Sequence, residues 1–361
     1  MKTFSKGVFL VTMLIFIMMF VMAPQVDAAE WPGKNKLITA VVVFGAGGGT
    51  DTTTRGYMKP MEKLLGGTVT VMNQPGAIGA LGAEFVYSKP ADGYWWMGAA
   101  QFLKPHRVMG FYKKAPWEMW QFYKAANGLF GFAVKTDSPF KTMTDFLEAA
   151  RKEPGKYRFT CSGIGSIEYE ANEIFAKEAK IKIRQIPYKS DAEEAMGLLQ
   201  GEADIMGGGL HGNIEFIRAG KMRNLAVFTK SPFTTKDGLV FKPITDWVPS
   251  LAAYAPFGSE YTLGIKRETP IQILQKIKEA FIGAVNSPEF EGLMEKRVFF
   301  KDIKVGEAAD RLAAFRESVT AWLYWDMQVE GVKVNPADLG IPRPEAFDKW
   351  WPPKGYKAVL N

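Results

Sequence analysis

The chain has 361 residues, 47% of them hydrophobic, and 45 Lys and Arg against 38 Asp and Glu give a formal net charge of +7. That length and apolar content suffice for a buried core divided between two domains, and the bases are dispersed, without the cluster that a nucleic-acid-binding arm requires. A single cysteine, Cys161, excludes an intrachain disulfide, and with only His106 and His211 as imidazoles no sequence cluster resembles a metal centre.

Lys2 and Lys6 precede an apolar run at 8–22 and a small-residue stretch at 23–29, the order of a secretory signal peptide. The run is shorter than the roughly twenty residues of a membrane-spanning helix. Val26-Asp27-Ala28 places small residues for cleavage after Ala28, so a leader at 1–28 is expected, an uncleaved anchor being the alternative. No cysteine lies near that site for lipid attachment, and no later stretch approaches a membrane span, so the mature chain is expected to be free in the periplasm.

From Trp31 onward, short apolar runs alternate with helix-period segments, the pattern of strands joined by helical crossovers. The first strand is expected at 37–44. It enters the loop Phe44-Gly45-Ala46-Gly47-Gly48-Gly49-Thr50-Asp51, where Thr50 or Asp51 can cap a helix that ends at Gly66 and Gly67. A strand at 69–72, a turn at Asn73-Gln74-Pro75-Gly76 and a small-residue helix through Gly79, Gly82 and Ala83 come next. A strand at 94–97 carries Trp95 and Trp96 to opposite faces and leads into a loop at Ala99, Ala100, Gln101 and Phe102.

A strand at 131–134 reads as a crossing between lobes. A second cycle then begins: a helix at 144–152, a strand at 157–161, the loop Ser162-Gly163-Ile164-Gly165-Ser166 and another helix. Further strands are expected at 183–187, 203–206 and 225–229, a return to the first lobe at 255–265, and helices at 271–284 and 308–328. The organisation expected is lobe 1 at 29–127 plus 250–361 and lobe 2 at 128–249. The Trp- and Pro-rich segment after Gly331 reads as an irregular tail packed on the first lobe, with docking to a partner as the alternative.

The two glycine loops carry the chemistry. Each joins a strand to a helix, so backbone N–H groups and the positive end of a helix dipole converge where an anion can sit. A P-loop would need Gly-Lys-Ser/Thr where this chain has Gly49-Thr50-Asp51, and a dinucleotide fingerprint from Gly45 would need a third glycine or alanine at Thr50. An exported hydrolase using Ser166 is a second reading, but Gly165-Ser166-Ile167 lacks the nucleophile-elbow frame and the sequence places no base beside it. Thr50 and Ser166 are candidate hydroxyl contacts, Phe102 a candidate apolar contact, and Tyr169 and Tyr188 are ambiguous between site and core.

These residues resemble the Bug or TctC-type receptors of tripartite tricarboxylate transporters. The resemblance rests on Trp31-Pro32, the Phe44 to Asp51 loop, Asn73-Gln74-Pro75-Gly76-Ala77, Ala91-Asp92-Gly93-Tyr94, Lys152-Glu153-Pro154-Gly155-Lys156, the Ser162 to Ser166 loop, Pro187-Tyr188-Lys189, Gly201-Glu202-Ala203-Asp204 and Ala219-Gly220-Lys221-Met222-Arg223. It implies an α/β, two-lobed periplasmic-binding-protein fold of the Venus flytrap, type II-like kind, each lobe a mainly parallel sheet flanked by helices. It implies no catalysis and no cofactor.

The implied ligand is a small organic acid held between the lobes, and the implied partner a membrane transporter of the same type, served by a monomer; a membrane signalling protein is the alternative partner. Ligand-binding residues are expected at Phe44, Ala46, Gly47, Gly48, Gly49, Thr50, Asp51, Ala99, Gln101, Phe102, Gly163, Ile164, Gly165, Ser166, Tyr188 and Gly208. Gly207-Gly208-Gly209 stands where the family often has an acidic residue, Ala99-Ala100 where it has threonine and serine, and Tyr169 where it has histidine. An acid larger or more apolar than citrate is the expectation.

Overall fold

The computed structural model describes residues 30–360, so the leader expected at 1–28 lies outside the described residues. Along the chain the strands are β1 (Leu37–Val42), β2 (Thr68–Asn73), β3 (Trp95–Ala100), β4 (Trp120–Asn127), β5 (Phe130–Lys135), β6 (Arg158–Cys161), β7 (Arg184–Pro187), β8 (Met206–Gly209), β9 (Met222–Val227), β10 (Phe233–Thr234), β11 (Val240–Phe241), β12 (Glu260–Lys266) and β13 (Phe300–Val305). One six-stranded sheet has the order β13-β4-β12-β3-β1-β2; the other half of the molecule holds β8-β5-β9 and the pair β6-β7, linked by a bridge from Phe159 to Ile205.

β1 is buried along nearly its whole length, as a strand covered on both faces must be, whereas β2 at the sheet edge has no fully buried residue. β1 runs parallel to β2 and β3. β12 runs antiparallel to β3 and β4, and β13 to β4. The sheets are thus mixed where mainly parallel ones were expected: β12, returning from the second lobe, and β13 run against β1, β2, β3 and β4, and β5, entering that lobe, runs against β8 and β9.

Each half has its own core. In the first, Tyr57 of the Gly49–Leu65 helix meets Phe281 at 5.4 Å between ring centroids; Trp96 is buried, while Trp95 on the other face meets Phe85. In the second, Phe132, Phe146, Phe159 and Phe175 interlock, with Phe132 and Phe175 4.4 Å apart. Each such ring removed from water contributes roughly 1.5–3 kcal/mol.

The crossings lie side by side. Gly128 donates from its N–H to the Ser259 carbonyl at 2.7 Å, and Phe130 to that of Phe257 at 3.0 Å. Leu251 and Ala255 still pack in the second core, so the chain returns to the first lobe at 256–259, later than the 249/250 boundary expected. The C-terminal segment packs on the first lobe: Trp351 stacks on Phe347, meets Trp117 at 5.6 Å, and Tyr356 donates to Asp310 at 2.9 Å.

Three other differences have local causes. The first helix begins at Gly49 with Gly48 as N-cap, two residues early, because Asp51 folds back to accept the Gly47 N–H at 3.0 Å. β8 runs through Gly207-Gly208-Gly209, which reads as loop; pairing with β5 makes it a strand, and the missing side chains leave room for Asn172 and Glu194. The helices Asp191–Gln200, Leu210–Arg218 and Pro288–Arg297 were not anticipated.

Candidate functional site

Three helix N-termini surround one cavity between the halves. Gly48, Gly49 and Thr50 open the Gly49–Leu65 helix, Ser166, Ile167 and Glu168 the Ile167–Ala179 helix, and Ser190 and Asp191 the Asp191–Gln200 helix. Ser166 and Ser190 accept backbone N–H groups of Tyr169 and Glu193, leaving other first-turn donors without helical partners. The dipoles therefore add at the cavity, which favours negative charge. It measures about 50 Å³, room for a few waters.

The loops approach closely enough to require glycine. A Cβ at Gly45 would lie 2.7 Å from the Lys189 carbonyl oxygen, and one at Gly49 would collide with Tyr261 Oη and His211 Nε2.

Buried carboxyls share this place. Asp191 accepts the Gly49 N–H at 3.2 Å and meets His211 Nε2 at 3.1 Å, so a protein carboxylate from one half caps the first helix of the other. Burial alone would raise its pKa, yet His211 and the Gly49 N–H hold it below the ordinary value. Glu168 lines the cavity and is pushed up to about 8, first by burial and then by the Asp191 charge. Behind it Glu194 accepts from Thr160 at 2.8 Å and Ser162 at 2.9 Å; burial, with Glu168 and Asp191 nearby, raises it well above the usual range. The cavity thus sets a carboxyl held low, Asp191, and one pushed up, Glu168, beside Lys189.

Of the residues expected at the site, Phe44, Gly48, Gly49, Thr50, Gln101, Gly165 and Ser166 line this cavity. The others lie elsewhere. Ala46 and Gly47 face solvent, and Asp51 is tied to Gly47, Arg55 and Asn73. Ala99, within β3, and Phe102, just after it, are core, Phe102 edge-on to Phe122 at 5.2 Å, because β3 is buried on both faces. Gly163 faces open space and Ile164 is exposed. Tyr188 lies against Gly197 and donates to Glu202, and Gly208 backs onto Glu194.

The lining residues not anticipated include Glu168, Ser190, Asp191, Ser259 and Tyr261. Ser190 with Glu193 three positions later is the capping-box sequence, a signal that marks the third helix start; Ser190 accepts the Glu193 N–H, while Glu193 accepts that of Lys189. Neither histidine pairs with Ser162 or Ser166 among the described residues: His106 meets the Ile78 carbonyl at 2.9 Å, and His211 meets Asp191 and Tyr261. Both imidazoles are buried, and burial lowers His106 to about 4.

The family model described as tripartite tricarboxylate transporter family receptor matches residues 54–303. The UPF0065 protein in the gbd 5' region of Cupriavidus necator is 27% identical over 279 residues, 76% of this chain and 82% of that protein. The structure of the periplasmic binding protein BugD matches with a TM-score of 0.73 at 21% identity, covering 82% of this chain and 99% of its own. An R. palustris protein solved with adipate matches with a TM-score of 0.72 at 20% identity, covering 83% and 99%. These structural likenesses establish the two-lobed periplasmic-binding-protein fold.

Proposed function

We propose, for a chain that belongs to the tripartite tricarboxylate transporter receptor family, that it captures a small organic acid at the three helix N-termini and delivers it to a transporter of that type. The observation that carries this reading is the convergence of the Gly49–Leu65, Ile167–Ala179 and Asp191–Gln200 N-termini on one cavity. The adipate-bound structure, a dicarboxylate complex on the same fold, adds to it. The chain acts in the periplasm as a monomer after cleavage at Ala28, and it turns nothing over.

The site's own acids narrow the ligand. Asp191 is ionised at the cavity wall, so a third carboxylate on the ligand meets repulsion, while protonated Glu168 can donate to one carboxylate. Mono- and dicarboxylates therefore bind better than citrate. The 50 Å³ cavity is smaller than any such acid, so the lobes part at the 128–130 and 256–259 crossings to admit it.

A thermal-shift screen of the chain from residue 29 against aliphatic mono-, di- and tricarboxylates, with sugars and amino acids as controls, tests this reading. An acid at a hundred times its dissociation constant adds about 2.7 kcal/mol of stability, a visible shift. Gly48→Val places a branched Cβ where the nearest atom, Asp191 Oδ2, is 3.3 Å from an ideal Cβ, and should abolish that shift in a folded protein. Silence from every acid with a shift from a sugar would overturn the anion reading.

A further inference from the structure

A larger cavity, about 460 Å³, lies beside the crossings and shares only Gln101 and Ile167 with the glycine-loop cavity. Its volume falls in the range of small-molecule sites. Both crossings contribute to its wall through Leu129 and Phe257, the second half adds Phe233, and the first half adds Phe300 from β13 and Arg316 and Val319 from the Glu307–Asp326 helix.

The wall is divided by chemistry. Leu129, Phe233, Phe257 and Phe300 make an apolar side. The other side is charged: Lys124 meets Asp302 at 2.5 Å and Glu260 at 3.3 Å, Arg316 meets Glu260 at 3.1 Å and Lys304 meets Asp302 at 2.8 Å, and a separate pair joins Lys104 to Glu170 at 3.0 Å. Four bases against three acids leave one positive charge over. Within it Asp302 and Glu260 are held below the ordinary carboxylate range, against the effect of burial, by Lys124 with Lys304 and by Arg316 with Lys124.

Two polar atoms on this wall lack partners. The side-chain nitrogen of Gln101, a residue 7% exposed, and the side-chain oxygen of Asn127 have no hydrogen bond among the described residues. Unpaired buried amides of this kind cost free energy unless a ligand or water meets them. Gln101, Phe102 and Leu103 also stand at φ +58°, +53° and +56°. The left-handed region costs a non-glycine residue about 1–3 kcal/mol, so the segment that brings Gln101 to the wall of both cavities is strained.

We propose that this hinge cavity is a second ligand site, for a small monoanion with an aromatic-sized apolar body. Its walls come from both halves, so an occupant favours one relative position of the lobes. Any resulting coupling to the glycine-loop site is reciprocal. The proposal does not depend on which acid the first cavity takes.

Titration calorimetry with benzoate, benzylammonium and benzyl alcohol on the chain from residue 29 tests it. Benzoate should bind wild type and Gly48→Val within about twofold, while Val319→Trp, which fills the cavity, and Arg316→Gln, which removes the surplus charge, each weaken it at least about tenfold. Benzylammonium should bind at least about tenfold more weakly than benzoate. Arg316 is partly exposed, so its variant keeps the test open if Val319→Trp does not fold.

Benzoate binding lost in Gly48→Val and kept in Arg316→Gln would place the probe in the first cavity and overturn the proposal. So would equal binding of benzylammonium, or no heat from any of the three up to about 10 mM. Failure of the carboxylate screen with benzoate bound in Gly48→Val would overturn only the function proposed for the glycine-loop cavity.

Discussion

Glu168 decides the sign of charge that the glycine-loop cavity offers a ligand. Its carboxyl is raised from 4.5 to about 8, by burial first and the Asp191 charge second. A raised acid stabilises the fold fully below its unfolded value, and that stability is lost as pH rises through the folded value, here between about 4.5 and about 8. Glu194 shifts with the same sign. Glu168→Gln should therefore melt with a shallower decline than wild type across this range, measured by circular dichroism at a series of pH values. Binding follows the same sign: carboxylate affinity of the wild type should fall as pH passes about 8, and that of Glu168→Gln should not. Equal pH profiles would show that Glu168 neither titrates there nor meets the ligand.

At the scale of elements, the site is made of helix starts, and the caps that define them are separable from the ligand contacts. Ser166 accepts the Tyr169 N–H at 3.1 Å and begins the Ile167–Ala179 helix. Ser166→Ala should cost about 1 kcal/mol, read as a lower urea midpoint at unchanged slope. It should also weaken the organic acid less than Gly48→Val does, because the backbone donors remain. The first helix was legible from its glycine loop and its end at Gly66, and the second from Ser162 to Ser166. The third was missed although Ser190 and Glu193 mark it, because attention to glycine loops passes over a capping box. β8 was displaced for the converse reason: Gly207-Gly208-Gly209 has no strand propensity, and only its pairing with Phe130, Gly131 and Phe132 makes it one.

At the scale of the molecule, the two crossings hold the lobes in register. A Cβ at Gly258 would collide with the Gly128 carbonyl oxygen, so the return strand can lie against the outgoing one only without a side chain. Gly258→Ala should destabilise by on the order of 2 kcal/mol, measured by urea unfolding. It should also alter the spacing of the lobes, seen as a changed radius of gyration in solution scattering; an unchanged radius with full stability would mean that the crossings separate freely.

The sequence by itself determined what local chemistry controls: the alternation of strands and helices, the two strand-loop-helix turns, and a single thiol. It also carried the ordered family blocks from Trp31 to Gly331. Only the tertiary structure decided that Asp191 caps a helix of the other lobe, that burial beside it raises the Glu168 carboxyl, that Phe102 belongs to the core, and that charged groups from Lys104 to Arg316 line the larger cavity. The physical reason is range. Caps, turns and periodicity act within a few residues, whereas desolvation, charge pairing and close backbone approach depend on residues that only the closed chain brings together.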